Sequence, residues 1–89
     1  RPWYSGSFFF FFSFKPQMIL ISAGFDAHVE DDLGSMKLSE KDFAWVTEQL
    51  ARIAEQTAQG RIVSMLEGGY VLSALARSVA AHLKVLAGI

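Results

Sequence analysis

Cysteine is absent from all 89 residues. Disulfides, thiolate catalysis and cysteine-ligated zinc are excluded with it, so any metal must be held by His, Asp or Glu. The absence fits a reducing compartment, and the cytoplasm is the expected location. Charge of one sign is also lacking. Eight basic residues stand against nine acidic ones, a net charge of −1. Nothing in that balance attracts nucleic acid or an anionic membrane surface, and neither is expected as a partner. The phenylalanine-rich stretch near the start is far too short to span a bilayer, which needs about 20 apolar residues. GxSxG, HExxH, GxxxxGKS/T and GxGxxG signatures are all missing.

What is present is apolar. Hydrophobic residues make up 52 % of the chain. A domain of this size buries only about 60–65 % of the surface its unfolded chain exposes. A larger parent protein with a shared core would account for the excess. The first residue is Arg1 rather than Met, so a processed chain or a fragment is expected. Composition shifts near residue 15. Residues 1–14, RPWYSGSFFFFFSF, read as a signal-peptide core, as a buried strand, or as sequence foreign to the domain from a misread or truncated gene. The division adopted is an atypical leader at 1–14, outside the domain and lying apart from its sheet, and a domain at 15–89.

From Lys15 onward the pattern is regular. QMILIS, residues 17–22, is a continuous apolar run bounded by Pro16 and Gly24. It reads as a strand buried on both faces, as in a parallel sheet. Residues 23–38 are a polar loop. Ser39 then opens a helix over 40–58, with Asp42 three residues on as in a capping box. Phe43, Val46, Leu50 and Ile53 mark its apolar face. Residues 61–66 give a second buried strand, followed by the turn Glu67-Gly68-Gly69-Tyr70. A helix over 71–87 follows, with Leu72, Leu75, Val79, Leu83 and Leu86 on one face. Strand, helix, strand, helix is an α/β order that predicts adjacent parallel strands.

Ligands of parallel α/β sheets bind beyond the carboxyl ends of the strands. Two loops leave those ends, SAGFDAH (22–28) and LEGGY (66–70). Asp26 and Tyr70 are 44 positions apart in sequence yet share one edge if the strands are neighbours. Asp26 reads as a metal ligand or an acid–base group, or else as a loop carboxylate capping a turn. Tyr70 reads as an oxyanion donor aimed by Gly68 and Gly69, or else as a tyrosine packed at a helix start. His28 completes a possible two-ligand clip with Asp26, or is an exposed loop histidine. His82 is most simply a partner for the helix dipole. Glu30, Asp31 and Asp32 read as a solvated acidic run.

ILISAGFDAH, an acidic stretch, Leu33-Gly34, a helix and a strand ending in LEGGY together resemble the last third of the histone deacetylase and acetylpolyamine amidohydrolase family. The resemblance covers Lys15 to about Ile89. It implies part of the arginase–deacetylase fold and zinc-dependent hydrolysis of acetyl (or related acyl) groups from acetyl-lysine or acetylpolyamines. It implies Asp26 as a zinc ligand and Tyr70 as the group that polarises the substrate carbonyl, with Gly68 and Gly69 shaping the site. His28 gains no role, because SAGF and LEGGY identify Asp26 as the later aspartate of the family pattern. The family's earlier Asp and His ligands and its histidine pair have no counterpart in these 89 residues. The chain alone is therefore expected to be inactive and to hold zinc weakly. The alternative is a non-catalytic remnant or a small interaction module. Oligomeric state is not legible.

Overall fold

The computed structural model describes residues 13–31 and 36–89. Strand β1 (Ile19–Ala23), helix α1 (Glu40–Thr57), strand β2 (Ile62–Leu66) and helix α2 (Leu72–Ala87) follow in that order. The strands are parallel neighbours, with Ile19 opposite Ile62 and Ala23 opposite Leu66. Expected and observed bounds differ by one or two residues. β1 opens at Ile19 rather than Gln17 because the Gln17 carbonyl accepts from Arg61 Nε at 2.8 Å instead of pairing with a strand. Of the phenylalanine-rich leader, residues 1–14, only Ser13 and Phe14 are described, and both are exposed; the rest of that expectation lies outside the described residues.

Sequence pattern explains both helices, the second only after correction. Asp42 Oδ2 accepts the Ser39 N–H at 2.9 Å and the Ser39 hydroxyl at 3.1 Å, the return half of the expected capping box. In α1, Thr47, Ile53 and Ala54 are buried, while Phe43, Val46 and Leu50 are half-buried. In α2 the buried residues are Ala74, Ser78 and His82. They recur every four positions and form one stripe. The leucine face expected to be inward is at best half-buried, and Leu72 and Leu83 are exposed. Small residues let α2 approach its neighbours closely, and the bulkier leucines are turned away from that contact.

The strands are covered on one face only, against the expectation of burial on both. Ile19 and Ile21 of β1 and Ile62 and Ser64 of β2 are half-buried. Leu20, Val63 and Met65 on the other face are exposed. His82 of α2 bonds both Thr47 of α1 and Ser64 of β2, so both helices lie against the same side. No helix among the described residues is long and apolar enough to cross a membrane.

Candidate active-site edge

Hydrogen bonding does not stop where the strands end. The Glu67 N–H donates to the Ala23 carbonyl at 2.9 Å, and the Phe25 N–H to the Gly68 carbonyl at 2.8 Å. These bonds strap the two loops together at the carboxyl edge. A Cβ built on Gly68 would lie 3.2 Å from Asp26 Cγ, 3.3 Å from Asp26 Oδ1 and 3.3 Å from the Tyr70 hydroxyl. The carboxylate and the phenol therefore converge on one spot that a side chain at residue 68 would crowd. Gly69 is needed for a different reason. Its φ is 141°, and a Cβ there would meet Leu75 Cδ1 at 2.7 Å.

Asp26 is half-buried and Tyr70 is 60 % exposed. The support beneath them is buried. Phe25, next to Asp26, packs edge-on against Phe43 and His82, with ring centroids 5.1 and 5.7 Å apart. Asp31 is 4 % exposed and accepts the Tyr70 backbone N–H on Oδ2 at 2.8 Å. The reading of residues 30–32 as a solvated run is thus wrong for Asp31, while Asp32 lies outside the described residues. Nothing in the sequence separates Asp31 from Glu30 beside it. The partner that draws it inward is 39 positions away.

Both histidines are corrected as well. His28 is 1 % exposed, not an exposed loop residue. Its Nδ1 accepts the Glu30 N–H at 3.0 Å, which leaves the ring proton on Nε2 to donate to Glu40 Oε2 at 3.2 Å. Its ring stacks on Phe43. With both nitrogens committed to structure, it forms no metal clip with Asp26. Glu40 also bonds Arg77, which reaches Glu30 too. The Arg77 guanidinium, the Glu40 backbone N–H and His28 hold the Glu40 carboxyl down at about 2.

His82 does not serve the helix dipole. Thr47 donates its hydroxyl to the Phe43 carbonyl at 2.7 Å, so it accepts from His82 Nδ1 at 2.8 Å. Nε2 then accepts from the Ser64 hydroxyl at 2.8 Å. Burial pushes the His82 pKa down, and the ring is a neutral link between both helices and β2. An apolar cavity of about 260 Å³ between β1 and α1 has His82 as its one titratable lining residue. Asp26, Gly68 and Tyr70 are not among its lining residues.

The described residues contain no group of three His, Cys, Asp or Glu able to hold a metal. Asp26 is a half-buried carboxyl side chain, a residue type that suits zinc as one ligand of three. The edge of this parallel α/β unit brings one carboxylate and one phenol together over Gly68. The comparisons give the family. The profile of the histone deacetylase domain matches residues 7–86, and the chain belongs to the histone deacetylase family. It is 48 % identical over 73 residues to type-2 histone deacetylase 1 of Dictyostelium discoideum, covering 82 % of this chain and 5 % of that protein. It is 42 % identical over 77 residues to the polyamine deacetylase HDAC10 of Mus musculus, covering 86 % of this chain and 11 % of that protein. Among solved structures, the histone deacetylase Clr3 superposes with a TM-score of 0.82 at 30 % identity, over 93 % of this chain and 13 % of that one. The HDA15 HD domain gives 0.77 at 35 % identity, over 86 % and 20 %. The fold is therefore part of the arginase–deacetylase fold, as the resemblance implied. The chain spans between about a twentieth and a fifth of the length of these relatives.

Proposed function

We propose that this chain forms one side of the active site of a zinc-dependent amidohydrolase, one that removes acetyl or related acyl groups from acetyl-lysine or acetylpolyamines. The observation that carries this reading is the convergence of the Asp26 carboxylate and the Tyr70 hydroxyl over Gly68. Asp26 would be one of three protein ligands. Bound zinc supplies a Lewis acid and lowers the pKa of its water toward about 7. Tyr70 would donate its O–H to the substrate carbonyl oxygen as water adds to the carbonyl carbon and that oxygen gains negative charge; the amide C–N bond breaks afterwards, when the C=O bond re-forms and the amine leaves. Gly68 keeps the space between them open, and Gly69 gives the turn that aims Tyr70. The domain is taken to begin near residue 15, although the family match runs into the phenylalanine-rich segment from residue 7. The absence of cysteine fits a reducing compartment such as the cytoplasm.

The chain by itself does not complete the site. Both its histidines are bonded into the fold through both ring nitrogens, which leaves none to activate water or protonate the leaving amine. Purified residues 1–89 with added zinc should not turn over acetyl-lysine or acetylpolyamine substrates. The same chain joined to an upstream deacetylase segment should. In that joined chain, Tyr70→Phe should lower kcat by about 10²–10³-fold with zinc content unchanged. Turnover by the 89 residues alone, or full kcat in the Tyr70→Phe enzyme, would contradict the reading.

A further inference from the structure

Tyr70 has an exposed side chain on a turn containing two glycines. Its phenol position therefore depends on how firmly the backbone at residue 70 is held. The observed anchor on that backbone is Asp31 Oδ2, 2.8 Å from the Tyr70 N–H. A carboxylate accepting a backbone N–H makes a charge-assisted bond, stronger than a neutral one. Asp31 is itself fixed. It is 4 % exposed, and its own N–H donates to the His28 carbonyl at 3.0 Å. His28 in turn is pinned by Glu40 and by stacking on Phe43. A continuous path runs from α1 through His28 and Asp31 to the residue that carries the phenol.

We infer that Asp31 is a positioning residue for Tyr70, a buried carboxylate whose task is to fix the backbone from which the oxyanion donor projects. This rests on the reading of Tyr70 given above. It differs from a purely structural turn cap in one respect. Its loss should act on the rate of the bound complex, and through Tyr70.

The test uses the 89-residue chain joined to an upstream deacetylase segment, with zinc content, KM and kcat measured for each variant. Asp31→Ala should lower kcat by up to about 10²-fold, the size of effect a misplaced catalytic group produces. KM and zinc content should stay near those of the parent. Asp31→Asn keeps an oxygen that can accept the Tyr70 N–H, and should restore kcat to within about tenfold of the parent. The double variant of Asp31→Ala with Tyr70→Phe should be no slower than Tyr70→Phe alone, because the two residues act as a unit. Losses that multiply in the double variant would overturn the inference. So would an Asp31→Asn enzyme as slow as Tyr70→Phe, and this comparison decides the matter if Asp31→Ala does not fold. A Tyr70→Phe enzyme with full kcat would remove the Tyr70 role itself and this inference with it. That outcome is told apart because it appears in the single variant.

Discussion

The two loops at the carboxyl edge are held in opposite ways. The Gly24–Asp31 loop is fixed by its own side chains, with Phe25, His28 and Asp31 all buried. The Glu67–Tyr70 turn buries none of its residues. It depends on two glycines, one backbone bond to the first loop, one to the end of β1, and a carboxylate borrowed from the first loop. The first loop is therefore a support and the second a presentation device. If, as proposed, the Tyr70 phenol meets substrate, it has to stay exposed, and its rigidity has to come from elsewhere.

Breaking the support should have the largest effect on stability. His28→Ala removes a fully buried ring, its stacking on Phe43 and both of its hydrogen bonds. A loss of about 2–4 kcal/mol is expected, read from the denaturant midpoint. Breaking the turn should cost less. Gly69→Ala forces a side chain into a backbone conformation that L residues avoid and against Leu75, at about 1–3 kcal/mol. Gly68→Ala sharpens the contrast. The nearest obstacles there are the Asp26 and Tyr70 side chains, so the midpoint should hardly move while turnover in the joined chain falls. An unchanged turnover would show that the space over Gly68 is not used.

Acid should weaken the fold in two stages. Burial lowers the folded pKa of His82 below its ordinary 6.5. Its contribution is complete above about 6.5 and is lost as the pH falls through the lowered folded value, because the unfolded chain binds the proton first. Glu40 is held at about 2 against an ordinary 4.5. Its contribution is present above 4.5 and is lost as the pH falls through about 2, and it is small because the Arg77 pair that chiefly lowers it is exposed to solvent. A stability that is flat from pH 7 to pH 3 would contradict the His82 assignment. The smallest effect should come from Arg77→Ala. Arg77 and Glu30 are nearly half exposed, and exposed ion pairs contribute little. Its thermal midpoint should stay close to the parent's, and the difference should shrink further in high salt.

Much of this arrangement was legible in sequence, and what was not has a common cause. Apolar runs and helical spacing reveal both strands and both helices, because each signal lies within a few residues. SAGFDAH and LEGGY mark Asp26 and Tyr70, because parallel strands bring their carboxyl ends together. His28, Asp31 and His82 were misread because a polar residue is buried only where a partner awaits it. Those partners are Glu40, Tyr70 and Thr47, at separations of 12, 39 and 35 positions. The leucine spacing of α2 misled for a related reason. Periodicity shows that a helix has an apolar face, and leaves open whether small residues on another face make the closer contact.

Zinc binding tests the central claim most directly, that Asp26 supplies one ligand from this edge. The joined chain and its Asp26→Ala variant should be loaded with zinc, dialysed and assayed for bound metal, with folding checked by circular dichroism. The account predicts close to one zinc per chain in the parent, and almost none in the folded variant. Equal zinc in both proteins would contradict it.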